Sequence, residues 1–154
     1  LRIRLGYPQP LEEIVILDEQ KRSHPLEELA EVLAVEELRE MQAAVREVYV
    51  DPAVADYIVR LVLATHPQGP FALPITNQFI RWGASPRAAQ TLALGAKVRA
   101  LLDGRYHVSF DDISRAAPAA LRHRVLLNFE GQAENIPPGQ VNSFLFHLAA
   151  VRRG

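Results

Sequence analysis

The stretch Gly83-Ala84-Ser85-Pro86-Arg87-Ala88 is the one on which the reading of this chain turns. Serine followed by proline is a helix start: the serine is placed to cap the helix, and the proline ring fixes the first helical φ where no N–H is needed. The helix so begun runs to about Leu102, and Gly104 is a fitting C-terminal stop. Arg87 then falls at the second helical position. A helix N-terminus carries partial positive charge, so a cation there costs roughly 0.3–1 kcal/mol. A local rule broken without visible compensation points to a functional position. Amides at a helix start together with a guanidinium fork suit an anionic phosphate. Spacing alone leaves the plainer reading open, a solvated arginine paired with a nearby carboxylate.

Outward from this segment the pattern is helical. Asp51-Pro52 is a second cap-and-proline start, and Val54, Ile58, Leu61, Val62 and Thr65 share a face to about His66. Residues 67–82 hold three prolines, but Phe71, Phe79, Ile80 and Trp82 make them too apolar for a linker. They read as a packed excursion with a short helix near Asn77 to Arg81. Ser109 and Asp112 have the spacing of a capping box, and Pro118 predicts a break or kink in the helix they open. A last helix is expected near Pro138, with Val141, Phe144, Leu145 and Leu148 inward. Upstream, residues 10–21 read as a helix with Pro10, Glu12 and Glu13 in its first turns, stopped by Ser23-His24-Pro25. Residues 26–33 favour no element. Another helix covers Val35 to Glu47, with Leu38, Met41, Ala44 and Val45 in one stripe. Leu1-Arg2-Ile3-Arg4-Leu5 alternates like a strand and is stopped by Gly6-Tyr7-Pro8. It has no visible partner and looks like the cut end of a sheet. The expected class is all-α, a helical bundle with a short orphan strand at its N-terminus.

Composition narrows the function. The 154 residues make one domain or two small ones, able to bury roughly 70% of the unfolded surface. No apolar run approaches the ~20 residues of a membrane span, and no signal peptide opens the chain. Without cysteine there are no disulfides, thiolate nucleophiles or Cys-ligated zinc, which fits a reducing cytoplasm. A net charge of −1 gives no reason to expect nucleic acid. The charge is uneven, however. Residues 12–47 hold eleven acids and four bases, and residues 81–124 hold eight bases and three acids. A basic middle suits an anionic ligand or a neighbouring subunit, or two oppositely charged solvated faces.

Other chemistry finds little support. Ile14-Val15-Ile16-Leu17-Asp18-Glu19 has the look of a Walker B strand, but such a strand needs a G-x-x-x-x-G-K-[ST] loop before it, and none occurs in the chain. The helix reading of these residues is preferred. His24, His66, His107, His123 and His147 form no H-x-x-x-H or H-E-x-x-H pair, so no metal site is expected. No G-x-S-x-G surrounds any serine, and no pair of acids stands out.

Taken together, the segments resemble one family. Gly83-Ala-Ser-Pro-Arg-Ala88 resembles the sensor-two motif of the MoxR family of AAA+ ATPases. Leu5-Gly6-Tyr7-Pro8 looks like the end of that family's last core strand, and His24-Pro25-Leu26 like its linker. Val45-Arg-Glu-Val48, Val50-Asp51 and Asp56-Tyr57-Ile58-Val59 look like the start of the lid. Leu102-Asp-Gly-Arg105, Val108, Asp111-Asp112-Ile113, Ala117-Pro118 and Leu121-Arg-His-Arg124 follow in the family's order, so that the likeness covers residues 1–130.

The resemblance implies the C-terminal part of a MoxR-type ATPase. Residues 1–22 would end the AAA+ core and its connecting helix, 23–50 would be the linker and first lid helix, and 51–154 the helical lid domain. Walker A, Walker B, sensor one and the arginine finger would lie upstream, so this segment alone should not hydrolyse ATP. Arg87 would reach the γ-phosphate, with Ser85 and Pro86 shaping the turn beneath it, and Tyr57 and Ile58 would lie beside adenine or simply pack in the core. ATP and Mg²⁺ would be held mainly by the upstream core. Arg122 and Arg124 would meet a neighbouring subunit of a ring hexamer or stand as a solvated helix end. Chaperone-like remodelling in the cytoplasm of partners bearing von Willebrand factor A domains is the activity implied. Two rivals stand beside it: a helical protein–protein adaptor docking through Phe71 to Trp82, and, against the near-zero charge, a helical DNA-binding domain.

Overall fold

The structure is a computed structural model that describes residues 1–3, 5–19, 26, 29–134 and 136. The chain divides into two compact units, Ile3–Gln42 and Leu1–Arg2 with Ala43–Gly154. The first holds α1 (Pro10–Glu19) and most of α2 (Val35–Glu47). Both helices begin with the same local device: the Gln9 N–H donates to the Glu12 carboxylate at 2.7 Å and the Ala34 N–H to that of Glu37 at 2.8 Å, each acid reaching back to an amide the helix leaves free. Ile14-Val-Ile-Leu-Asp-Glu lies within α1, as the helix reading of it requires.

The larger unit is a helical bundle of α3 (Pro52–Leu63), α5 (Pro86–Leu102) and α6 (Phe110–Leu121), with α4 (Pro74–Phe79) and α7 (Phe129–Ala133) at one side. Its centre is α5 against α6. Ala88, Leu92, Ala96 and Ala100 of α5 and Ile113, Ala117, Ala120 and Leu121 of α6 are fully buried. Alanine at five of these eight positions lets the two helices approach closely, and burying each large aliphatic chain contributes about 1.5–3 kcal/mol. From α3, Val54, Tyr57, Ile58, Leu61 and Val62 complete the core.

Three helix ends are set by the residues expected to set them, whereas the Ser85 side chain does not cap α5. Asp51 caps α3 by accepting the Ala53 N–H at 2.8 Å. At the end of α5, Gly104 takes φ +72°, the Arg105 N–H bonds Ala100 O and the Gly104 N–H bonds Leu101 O, a Schellman motif. Ser109 and Asp112 form the full capping box of α6.

Three expectations meet a different outcome. No strand is formed by the described residues of Leu1–Leu5: Leu1 to Ile3 and Leu5 lie outside any strand, because a strand needs a ladder partner and none pairs with them among the described residues, and the Arg2 N–H instead donates to Ala119 O at 2.9 Å. Pro118 does not break α6, which continues to Leu121 with Ala117, Ala120 and Leu121 fully buried around it. An interior proline costs about 3 kcal/mol, and burial of this face together with an alanine-rich helix offsets it. The short helix comes earlier than Asn77–Arg81, at Pro74–Phe79, because Ile80–Trp82 is drawn into a two-stranded antiparallel sheet with Leu126–Leu127. In that sheet Ile80 faces Leu127 and Trp82 faces Leu126. The helix near Pro138 lies outside the described residues. No helix among those described is long and apolar enough to cross a membrane.

Candidate functional site

The site is the turn between β1 (Ile80–Trp82) and α5. It is built by the C-terminal end of α3. Past the last residue of that helix, the Thr65 side chain is fully buried; its hydroxyl donates to Val62 O at 2.6 Å and its oxygen accepts the Ala84 N–H at 2.9 Å. The next residue, His66, donates from Nε2–H to Ala84 O at 2.7 Å. Both backbone groups of Ala84, itself fully buried, are thus held by adjacent side chains of another element. Thr76 ties the same corner to α4 by donating to Ala64 O at 2.9 Å. At Gly83 a Cβ would stand 2.2 Å from His66 Cδ2 and 2.7 Å from Thr65 O, so only glycine lets the two backbones meet.

What the clamp presents is exposed. Ser85, Pro86 and Arg87 all face solvent. Ser85 has the extended backbone of a cap, φ −72° and ψ 167°, yet its hydroxyl makes no capping bond. The Arg87 guanidinium has no hydrogen-bond or ion-pair partner among the described residues, so the nearby carboxylate of the plainer reading is not found there. A cation and an uncommitted hydroxyl therefore share the start of a 17-residue helix, a combination that favours an anion.

One turn on, the Thr91 hydroxyl donates to Arg87 O at 2.8 Å, and Arg124 reaches Thr91 Oγ1 from the end of α6 at 3.3 Å. Arg124 also donates to Ala120 O, and Arg122 Nε to Pro118 O at 2.9 Å, so both half-buried arginines satisfy the last carbonyls of their own helix. Between them, His123 Nδ1 is buried with no partner among the described residues; burial above all, then the neighbouring cations, pushes its pKa below the ordinary value.

Tyr57 and Ile58 belong to the hydrophobic core that also holds Ala84 and Ala88. Both are buried, and the Tyr57 ring meets Phe110 edge-on with centroids 5.2 Å apart. Thr65, His66 and Gly83 are what sequence reasoning did not single out. Glycine two residues before the cap was the available signal, but the contact that requires it lies 17 residues away and has no local signature.

At the far end of α5, Arg105 forks onto Asp112 with bonds of 2.8 and 2.7 Å. Asp112 is buried, and this guanidinium with the Ser109 bonds holds its carboxyl well below the usual carboxylate range. Among the described residues no group of three or more potential ligands could hold a metal ion.

Known proteins resemble this chain along most of its length. The model of the AAA lid domain family matches residues 73–141, which include the clamped turn and the whole of α5 and α6. The chain is 31% identical over 150 residues to the chaperone MoxR1 of Mycobacterium tuberculosis, 97% of this chain and 39% of that protein. The chain belongs to the MoxR-family AAA+ ATPases. It is also 36% identical over 137 residues to the protein YeaC of Bacillus subtilis (strain 168), covering 88% of this chain and 39% of YeaC. A crystal structure of a "putative ATPase" from Cytophaga hutchinsonii ATCC 33406 matches with a TM-score of 0.78 at 26% identity, over 93% of this chain and 43% of that one. The chain spans about two fifths of the length of its curated relatives.

Proposed function

We propose that this chain acts as the lid through which a MoxR-type ATPase reads the phosphate state of bound ATP, with Arg87 as the sensor-two arginine. The observation that carries the reading is that Arg87 is exposed and unpartnered among the described residues, on a turn whose preceding residue is clamped through both backbone groups. A guanidinium held at one place and left without a carboxylate is suited to charge that develops on a transferring phosphoryl group. ATP with Mg²⁺ supplies that phosphoryl group, and both would be held mainly by residues outside this chain. The Ser85 hydroxyl and Pro86 shape the approach to it. Tyr57 and Ile58 are assigned to the adenine side of the lid, acting from within the core. Arg122 and Arg124 are assigned to the edge that meets a neighbouring subunit in a hexameric ring.

In this reading residues 1–22 close the AAA+ core, 23–50 link it to the lid, and 51–154 form the lid. The motor remodels partner proteins in the cytoplasm, those with von Willebrand factor A domains foremost, as a chaperone does. The name of MoxR1, a chaperone, supports the general activity.

The test is ATP turnover by the full-length protein that carries this chain, wild type beside Arg87→Ala, with nucleotide binding measured on both. Turnover is expected to fall at least tenfold, about 1.4 kcal/mol of barrier, in a protein that remains folded. Unchanged turnover would favour the adaptor reading. One observation points that way: Trp82 and Leu126, paired in the small sheet, are 61% and 55% exposed, and Phe129 is 87% exposed. The rest of the 71–82 excursion offers less, since Leu73, Phe79 and Ile80 are buried.

A further inference from the structure

Arg87 can report on a phosphate only if its own position is independent of the phosphate. Its helix begins at a turn that could rotate about Gly83, and the first residues of α5 carry no side-chain cap. Thr65 and His66 remove that freedom. The Thr65 hydroxyl takes the Ala84 N–H and the His66 ring takes the Ala84 C=O, at 2.9 and 2.7 Å. The two bonds run in opposite directions across one peptide-bearing residue, so together they fix its rotation as well as its place. Thr65 is anchored in turn by its bond to Val62 O within the last turn of α3, and Gly83 brings the two backbones into contact. The path from α3 to Arg87 is therefore three residues of backbone with no slack.

We infer that Thr65 and His66 are positioning residues for Arg87, a polar clamp that transmits the orientation of α3 to the sensor arginine. The inference rests on the reading of Arg87 given above and adds residues 17 or more positions distant from the motif. Neither side chain touches nucleotide in this account. Their effect is to hold the guanidinium where a displacement of about 1 Å can change a rate by about a hundredfold.

The experiment uses the full-length protein in two measurements. In the nucleotide-free protein, amide hydrogen exchange at Ala84 is compared between wild type, Thr65→Val and Thr65→Ser. Thr65→Val, which keeps shape and removes the acceptor, is expected to speed exchange at least tenfold, and Thr65→Ser to leave it near wild type. In steady-state turnover Thr65→Val is expected to lower kcat at least fivefold with a smaller change in KM, and Thr65→Ser to restore it. Adding Thr65→Val to Arg87→Ala is expected to change nothing further, because the clamp acts only through that arginine. His66→Phe against His66→Gln, which keeps a donor near the Nε2 position, repeats the comparison should Thr65→Val fail to fold.

Wild-type exchange and kcat in the clamp variants, with Arg87→Ala impaired, would overturn the clamp and leave the sensor reading standing. So would a further loss when Thr65→Val is added to Arg87→Ala. Full activity in Arg87→Ala would overturn both.

Discussion

Gly83 has no room for a methyl group, whereas Gly104 has room but the wrong backbone for one. At Gly83 a Cβ would meet the His66 ring and Thr65 backbone at 2.2–2.9 Å; at Gly104 nothing lies within 4 Å, but φ is +72°. The two glycines should therefore respond differently to substitution. Gly83→Ala is expected to lose about 1–3 kcal/mol by forcing the α3 end and the sensor turn apart, and Gly83→Asn no less. Gly104→Ala should lose about 1 kcal/mol, and Gly104→Asn should recover part of that, since asparagine tolerates the left-handed region. Urea unfolding of the four variants checks the pattern; equal losses for Ala and Asn at Gly104 would contradict the backbone account. Gly104 was legible as a stop because a helix end is local, and Gly83 was not legible as a contact because its neighbours arrive from another helix.

The two ends of α6 carry titrating groups of opposite kind. At the N-terminal end, Asp112 accepts from Arg105 and from the N–H and hydroxyl of Ser109 while nearly wholly buried. Its folded pKa lies below the unfolded value, so its contribution is complete above the ordinary carboxylate range and is lost as pH falls below about 4. At the C-terminal end, half-buried His123, whose Nδ1 is shut off from solvent, is also held below its ordinary value, so stability declines as pH falls below about 6.5, where the unfolded chain takes up the proton and the folded one resists it. Stability measured by urea from pH 8 to 3 is expected to fall in two steps, and His123→Asn should remove the upper one alone. Asp112→Ala should cost about 1.5–3 kcal/mol at neutral pH, from charge-assisted bonds and the cap. Ser109→Ala should cost about 1 kcal/mol. The capping box was readable from spacing. That Asp112 also receives a guanidinium fork, and that Pro118 leaves the helix intact, was not: both depend on how α6 is buried.

Across the whole molecule the apolar residues do unequal work. Leu92 is fully buried in the α5–α6 seam, while Ile14 of α1 is 61% exposed. Leu92→Ala is expected to lose about 2–5 kcal/mol. Ile14→Ser should stay within about 0.5 kcal/mol. Thermal unfolding of both variants tests whether the cooperative core is that of the larger unit; a large loss from Ile14→Ser would show that α1 belongs to it. The division into Ile3–Gln42 and the remainder has the same basis, since the fully buried residues all fall within the second unit.

Helix starts at Pro10, Pro52, Pro86 and Ser109 and the stop at Gly104 rest on residues within a turn of one another, the family resemblance rests on short segments read in order along the chain, and the sequence by itself determined them. The sheet pairing of Ile80–Trp82 with Leu126–Leu127, the continuity of α6 through Pro118, the burial of Tyr57 and Ile58, and the hold of Thr65 and His66 on Ala84 were decided by the tertiary structure alone. The physical reason is range. Caps and turns are satisfied by neighbours in the chain, whereas ladder bonds, buried side chains and the clamp join groups 18 to 47 residues apart, and their partners exist only once the helices have packed.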